Sequence, residues 1–442
     1  MLFSNKDLKK LIIPLVIEQL LVIMVGFFDT VMVSSVGEAA VSAVSLVDGI
    51  NILLINIFAA LGTGGAVVAA QFIGQGAKDK ARYSAKQLIL ITALLSSVIM
   101  VIVIAFNASL LHMIFGNVDV SVMKNAETYF FFSAMSYPFI ALYNCGAGLF
   151  RAIGNSKVSM INSAIMNVIN ISLNALFIFV FKWGVLGAAL ATLIARAVAC
   201  VIILQMLSNQ NNDLYIDDYR HWKFDFIYIK KILQIGIPSG LENGMFQLGK
   251  ILVQSLIATF GTVAIAANAV SNSLAAMQII PGMAMSLAMV TVIGQCVGAN
   301  DYQQAKYYIK KLLLITYISM SVVVVLILLC TPKILTFYSL SSKTTDLAYQ
   351  CIFIHTFFAI LIWPTAFTFP NALRAANDAK FTMIISALSM LIFRLGFSYL
   401  LGQYFKLGLL GVWIAMFIDW IVRCICFIWR YCSGKWMNRQ LI

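Results

Sequence analysis

One long segment of this chain returns later in the same chain almost in register, and few folds accommodate that. Pro14 recurs as Pro238, an offset of 238 − 14 = 224. Without a gap, the same offset pairs Glu18 with Glu242, Gly37 with Gly261, Asp48 with Asn272, Gln71 with Gln295, Gly74 with Gly298, Ala81 with Ala305 and Arg82 with Lys306. Further on, LFRAIGNSKVSM matches ALRAANDAKFTM, setting Arg151 against Arg374 and Lys157 against Lys380 at 223, and Gly187 against Gly411 restores 224. Chance does not hold a register that long. Two copies of one pattern predict two similar structural units.

Hydropathy says what each copy folds into. Leu11 to Val36 reads LIIPLVIEQLLVIMVGFFDTVMVSSV, which as a helix rising 1.5 Å per residue crosses a hydrocarbon core of roughly 30 Å. Runs of spanning length recur at 44–72, 86–106, 122–150, 157–181 and 184–207, then at 229–259, 263–297, 306–330, 346–373, 379–401 and 408–431. The expected fold is therefore all-α: a polytopic membrane protein of twelve transmembrane helices in two six-helix bundles forming a parallel internal repeat. A composition of 62% hydrophobic and 11% charged residues excludes an ordinary soluble domain. MLFSNKDLKK resembles the n-region of a signal peptide, but the following run is too long and has no small-residue cleavage site, so it is read as a retained helix.

The net charge of +13 does not point to nucleic acid, because the bases sit in short loops between apolar runs. Lys78, Lys80, Arg82, Arg151, Lys157, Lys230, Lys231, Lys306, Lys310, Lys311, Arg374 and Lys380 fall on one side, and mainly Lys182, Lys333, Lys343 and Lys406 on the other. This bias predicts a multi-pass protein of the cell membrane with both termini cytoplasmic. The only long polar stretch, residues 208–228, is read as a cytoplasmic linker between an N-terminal lobe at 1–207 and a C-terminal lobe at 229–442. Its acids Asp213, Asp217 and Asp218 are read as solvated loop charges. The eight cysteines follow no metal spacing, and most of them are read as small apolar packing residues.

Polar residues inside the spans mark the candidate site. Glu18 and Asp29 are eleven residues apart on the first helix, hence within about 20° of one face and roughly 16 Å apart. A carboxylate at bilayer depth costs roughly 2.5–3.5 kcal/mol and faces a bundle interior or a wet cavity. Asp29, with no base near it in its helix, reads as functional; Glu18, nearer the cytoplasmic end, reads as either a structural pair or a cavity residue. In the fifth span Ser163, Asn167, Asn170 and Asn174 form one polar stripe, and in the seventh Asn243, Gln247, Lys250 and Gln254 form another. Two readings stand for each stripe: hydrogen-bonded glue between helices, or the wall of a cation or substrate cavity, to which Glu242 would belong. Lys250 favours the cavity, since an ammonium at that depth needs water or an acid. Asp419 and Arg423, at i and i+4, read as a structural pair with or without Arg394, His355 as a packed or interfacial histidine, and Arg196 as a residue that snorkels or pairs. Pro138 in the fourth span and Pro364 with Pro370 in the tenth predict kinks in corresponding helices.

Together FFDTVMVSSVGEAAVSAV, LGTGGAVVAAQFIGQGAKDKA, LFRAIGNSKVSM, GVLGAALATLIAR, IGIPSGLENGMFQLGK and GVWIAMFIDWIVR resemble the multidrug and toxic compound extrusion (MATE) family over essentially the whole chain. The resemblance implies a V-shaped pair of six-helix lobes exporting amphipathic, often cationic small molecules against inward proton or sodium flow. It implies that H+ or Na+ is the coupling ion, with no cofactor and no metal site, in a monomer whose partners are its substrates and the lipid bilayer. Asp29 matches the family's first-helix acid. By position in GVLGAALATLIAR and INISLNALFIF, Thr192, Asn170 and Asn174 resemble its polar partners, although one branch of the family carries an aspartate where Asn174 stands. Glu242 resembles a seventh-helix glutamate of other members. A tenth-helix acid of some members has no counterpart between Tyr349 and Arg374.

Two other functions compete with export. A lipid-linked precursor flippase of the same superfamily would need several cationic residues in a sideways-open cavity. An intramembrane lipid enzyme would need paired catalytic groups near one interface, and the chain shows no nucleophile and base arrangement.

Overall fold

The computed structural model describes residues 2–116, 118–217, 223–338 and 340–439. Among these residues there are sixteen α-helices and no strand. In the first copy they are α1 Asn5–Ser34, α2 Glu38–Gly74, α3 Lys78–Ala105, α4 Asn107–Phe115, α5 Val120–Met135, α6 Tyr137–Ala152, α7 Ser156–Ala175 and α8 Gly184–Ser208. In the second they are α9 Phe226–Ala258, α10 Thr262–Gln278, α11 Ile280–Gly298, α12 Tyr302–Phe337, α13 Ser342–Leu361, α14 Pro370–Ala375, α15 Ala379–Ser389 and α16 Gly408–Cys432. They make twelve spans, with α5 and α6, α10 and α11, and α13 and α14 each forming one. Ten helical segments among the described residues are long and apolar enough to cross a bilayer. The fourth span falls short because it is divided, and α9 because its polar stripe dilutes it.

Prolines explain where spans divide. α5 stops at Met135 and α6 restarts at Tyr137 with Pro138 in its first turn, where a missing N–H removes no helical hydrogen bond. In the corresponding tenth span α13 ends at Leu361, Pro364–Thr368 forms a π-helical turn, and α14 begins at Pro370. The eighth span departs from the single helix expected over 263–297. It breaks between Gln278 and Ile280, with Pro281 in the first turn of α11, for the same reason. Pro14, Pro238 and Pro332 instead lie inside continuous helices. The connection after the third span, between the apolar runs at 86–106 and 122–150, contains α4, tied to α5 by Asn107 Nδ2 donating to the Glu127 carbonyl at 2.9 Å.

The repeat is visible as repeated packing. α7 ends in the π-helical turn Leu176–Val180, and α15 continues as π-helical turns over Met390–Gly396 and Ser398–Tyr404. The helix that follows packs back on this stretch in both copies, and Gly187 and Gly411 permit it. A Cβ at Gly187 would lie 2.9 Å from Phe177 Cβ, and one at Gly411 would lie 2.7 Å from the Leu401 carbonyl carbon. Phe177 and Leu401 are themselves 224 apart, so the matched glycines answer one steric demand made twice.

Two compact units result: Phe3–Gly240, and Met1–Leu2 with Leu241–Ile442. The first buries Val47, Phe58, Phe130 and Tyr137 in its core, and the second Leu274, Met320, Trp413 and Phe417. Cys145, Cys200, Cys296 and Cys351 are buried and free. The division falls inside α9, whose first turns belong to the first unit: Tyr228 stacks edge-on against Tyr83 at 5.0 Å and lies 5.8 Å from Phe72. The polar linker is pinned there too. Lys78 Nζ meets Asp213 at 2.7 Å, the Arg82 guanidinium covers the Tyr215 ring at 4.0 Å, and Gln87 bonds the backbone of Lys223 and Asp225. Asp218 lies outside the described residues.

Candidate functional site

The first unit gathers four of the expected residues around one acid. Asp29 lies on α1, Asn170 and Asn174 on α7, and Thr192 on α8, three helices that pack on one another. Asn174 Nδ2 donates to Asp29 Oδ1 at 2.6 Å and lies 3.2 Å from Asn170 Oδ1. Asn170 Nδ2 donates to Thr192 Oγ1 at 3.2 Å, and Thr192 in turn donates to the Ala188 carbonyl at 3.0 Å. Among the described residues Asn174 alone donates to the carboxylate, and the other donors lead away from it, from Asn174 to Asn170 to Thr192 to the Ala188 carbonyl. A charge-assisted bond such as that from Asn174 is about twice as strong as a neutral one, and the bonds behind it hold the Asn174 amide in place. Asn174 Oδ1 is left buried with no hydrogen-bond partner among the described residues. An amide carbonyl, a carboxylate and a hydroxyl are hard oxygen donors suited to a proton or an alkali cation.

In the fifth-span stripe Asn167 Nδ2 donates to the Leu21 carbonyl at 2.9 Å, which is glue between α7 and α1, while Asn174 bonds Asp29 and Asn170 bonds Thr192.

Two charged residues beside this site are not assigned to it by the sequence reading, which takes Arg196 as a snorkelling or pairing residue and Asp48 only as a member of the repeat. Asp48 and Arg196 both act electrostatically on Asp29. Asp48 accepts from Asn51 Nδ2 and Tyr129 OH, each at 3.4 Å; Tyr137 OH donates to Asn51 Oδ1 at 2.8 Å; and Arg196 Nη1 donates to Ser136 Oγ at 2.7 Å. The rule that selected Asp29, an acid at bilayer depth, applies equally to Asp48.

The paired glutamates of the repeat occupy equivalent structures. Glu18 Oε1 lies 2.9 Å from Arg151 Nη1 and Glu18 Oε2 accepts from Ser159 at 2.6 Å. Glu242 Oε1 lies 2.6 Å from Arg374 Nη2 and accepts from Ser386 at 2.6 Å. Both glutamates are buried.

On α9 the remaining stripe is dispersed. Gln254 Oε1 accepts from Asn268 Nδ2 at 2.9 Å, and Asn243 and Gln247 make no side-chain hydrogen bond among the described residues. Lys250 Nζ stands 5.9 Å from the Phe246 ring. The expected Asp419–Arg423 pair is present at 2.9 Å, and His355 is packed against Trp413 and Trp420 with Nδ1 bonded to Gln278.

Comparison with known proteins agrees with this architecture. A family model described as MatE matches residues 14–176 and again residues 238–400, so its two matches start and end 224 residues apart, the offset of the repeat. The "Probable multidrug resistance protein YoeA" of Bacillus subtilis is 26% identical over 411 residues, covering 92% of this chain and 88% of that protein. The "Probable multidrug resistance protein NorM" of Thermotoga maritima is 24% identical over 445 residues, covering 99% and 94%. Among solved structures, one described as the "outward-facing conformation of a multidrug resistance MATE family transporter of the MOP superfamily" superposes with a TM-score of 0.91 at 23% identity, over 98% of this chain and 97% of that one. A MOP superfamily transporter from Pyrococcus furiosus superposes with a TM-score of 0.90 at 22% identity, over the same shares. At such identities the structural likeness shows the fold, which is the twelve-span fold expected from the sequence. With one family model matched twice and most of the chain covered, this multi-pass membrane protein belongs to the MatE family.

Proposed function

We propose that this protein is a multidrug extrusion transporter, a cation-coupled antiporter that exports amphipathic, often cationic organic compounds by alternating access and is driven by inward movement of H+ or Na+. The observation that carries this reading is Asp29, fixed by Asn174 at 2.6 Å beside an Asn174 carbonyl oxygen with no other partner among the described residues. A cation arriving there meets a carboxylate and the free lone pairs of a buried amide. Its loss returns Asp29 to the amide and hydroxyl chain alone. Only a difference in cation affinity between two conformations can shift their populations, since equal affinity shifts nothing. Asp29 on α1 and its partners on α7 and α8 provide such a difference wherever these helices shift relative to one another. The names of the relatives support the substrate class. The reading includes lobes at 1–207 and 229–442 joined by a cytoplasmic linker at 208–228, cytoplasmic termini, a monomer in the cell membrane, and transport without catalysis.

Dye efflux from proteoliposomes under a separately imposed pH or sodium gradient tests it. Efflux that follows one gradient and collapses with it identifies the coupling ion. Efflux indifferent to both would overturn the coupling.

A further inference from the structure

The repeat makes it possible to compare charge position by position, and the two interiors differ in sign. Asp29 of the first copy answers to Val253 of the second, and Asp48 to Asn272, so both interior acids are gone. Gly26 answers to Lys250, Ala199 to Arg423, and at either offset of the repeat an uncharged residue, Asn170 or Ile171, to Arg394, so three bases have appeared. Arg196 answers to Trp420, and Asp419, gained against Ala195, already holds Arg423 at 2.9 Å, while the buried Asp378, gained against Asn155, holds Arg430 at 2.6 Å. Arg374 is taken by Glu242.

Lys250 and Arg394 are left. Neither has a carboxylate at ion-pair distance among the described residues; Asp419 and Arg423 reach Arg394 only through longer-range electrostatics, and Arg394 itself acts on Lys250. Arg394 Nε is buried without a hydrogen-bond partner, inside the π-helical stretch Met390–Gly396. What these cations share is a ring: Lys250, Arg394 and Arg423 stand 5.9, 5.6 and 5.8 Å from the centre of Phe246. A ring face offers each cation about 0.5–2 kcal/mol and no negative charge. With Arg423 neutralised by Asp419, Lys250 and Arg394 leave two like charges uncompensated beside one ring at membrane depth. Aromatic surface continues outward from it, with Phe367 at 6.3 Å from Phe246 and stacked at 5.2 Å on Trp363.

We propose that the second unit binds an organic anion, its carboxylate, sulfonate or phosphate taken by Lys250 and Arg394 and its apolar body laid against Phe246 and Phe367. A guanidinium with a free Nε and an ammonium with three donors match an anionic head that has several acceptor oxygens. The site rests on the transport reading for its purpose but not for its existence. Its ligand belongs to the other half of the molecule from Asp29 and has the opposite charge to the coupling ion.

Calorimetric titration of the full chain in non-ionic detergent tests this without requiring transport. The probes are naphthalene-2-sulfonate, its 2-naphthyl-trimethylammonium counterpart, and farnesyl phosphate. The wild type is expected to bind at least one anion about tenfold or more tighter than the cation, and Lys250→Gln or Arg394→Gln to lose about ten- to a hundredfold in anion affinity. Lys250→Arg, which keeps the charge, should retain binding. Preference for farnesyl phosphate assigns the site to a lipid phosphate, and preference for the sulfonate to a soluble amphipathic anion. Equal or tighter binding of the cation by the wild type overturns the proposal, as does anion binding undiminished in the Lys250→Gln/Arg394→Gln double variant. Binding as described with no gradient-driven flux of any probe would reject the transport reading and leave the anion site standing.

Discussion

Glu18 and Arg151 meet at 2.9 Å between α1 and α6, with side-chain exposures of 7% and 16%. The pair closes a gap of 133 residues in sequence. Removing one partner of a buried pair leaves the other charge stranded, which costs about 3–5 kcal/mol. Glu18→Gln should therefore lower the thermal stability of the detergent-solubilised protein, and Glu18→Gln with Arg151→Met should recover most of the loss. Calorimetric or fluorescence melts of the single and double variants check this. A double variant as unstable as the single would show that packing, not charge, sets the cost. Glu242→Gln, stranding Arg374, should behave alike.

Asp29→Asn removes the charge and keeps the shape. The variant should reach wild-type abundance and melting temperature while losing about tenfold or more of gradient-driven export, because a neutral amide no longer distinguishes cation-bound from cation-free states. Asn174→Leu, which removes the donor that fixes Asp29, should fall between the two. Flux in proteoliposomes under an imposed gradient checks both, and wild-type flux in Asp29→Asn would move the coupling site elsewhere.

Gly411→Ala places a methyl 2.7 Å from the Leu401 backbone. Backbone cannot step aside as a flexible side chain can, so the change should destabilise the protein by about 1–3 kcal/mol. Gly26→Ala, whose new methyl meets nothing within 4 Å, serves as the control and should melt like the wild type.

Asn211 is exposed on the linker. In a background with the exposed Cys330 and Cys432 changed to serine, Asn211→Cys should resist an impermeant thiol reagent in intact cells and react after lysis. Labelling in intact cells would invert the expected orientation.

Much of this molecule could be read from its residues because the constraint was long and regular. Twelve apolar runs and a register of 224 leave little freedom, and Asp29, Asn170, Asn174 and Thr192 prove to be adjoining side chains. The break at Pro281 is not legible in hydropathy because the apolar run looks continuous there, whereas a helix continued through it would need an N–H that Pro281 lacks. Asp48 and Arg196 were legible in principle from depth alone. The meeting of Phe246 with Arg394 and Arg423 was not, since it joins α9 to segments more than a hundred residues away, and no periodicity encodes which helices face each other.

The Glu18–Arg151 and Glu242–Arg374 clamps persisted through the divergence of the two copies, whereas the polar residues deeper in each half did not. On the function proposed above, fastening and recognition reside in separate residues. A lineage descended from this duplicated ancestor can rewrite the polarity of either interior one substitution at a time without first loosening the helices that frame it, so new cargo is open to it at little risk to folding.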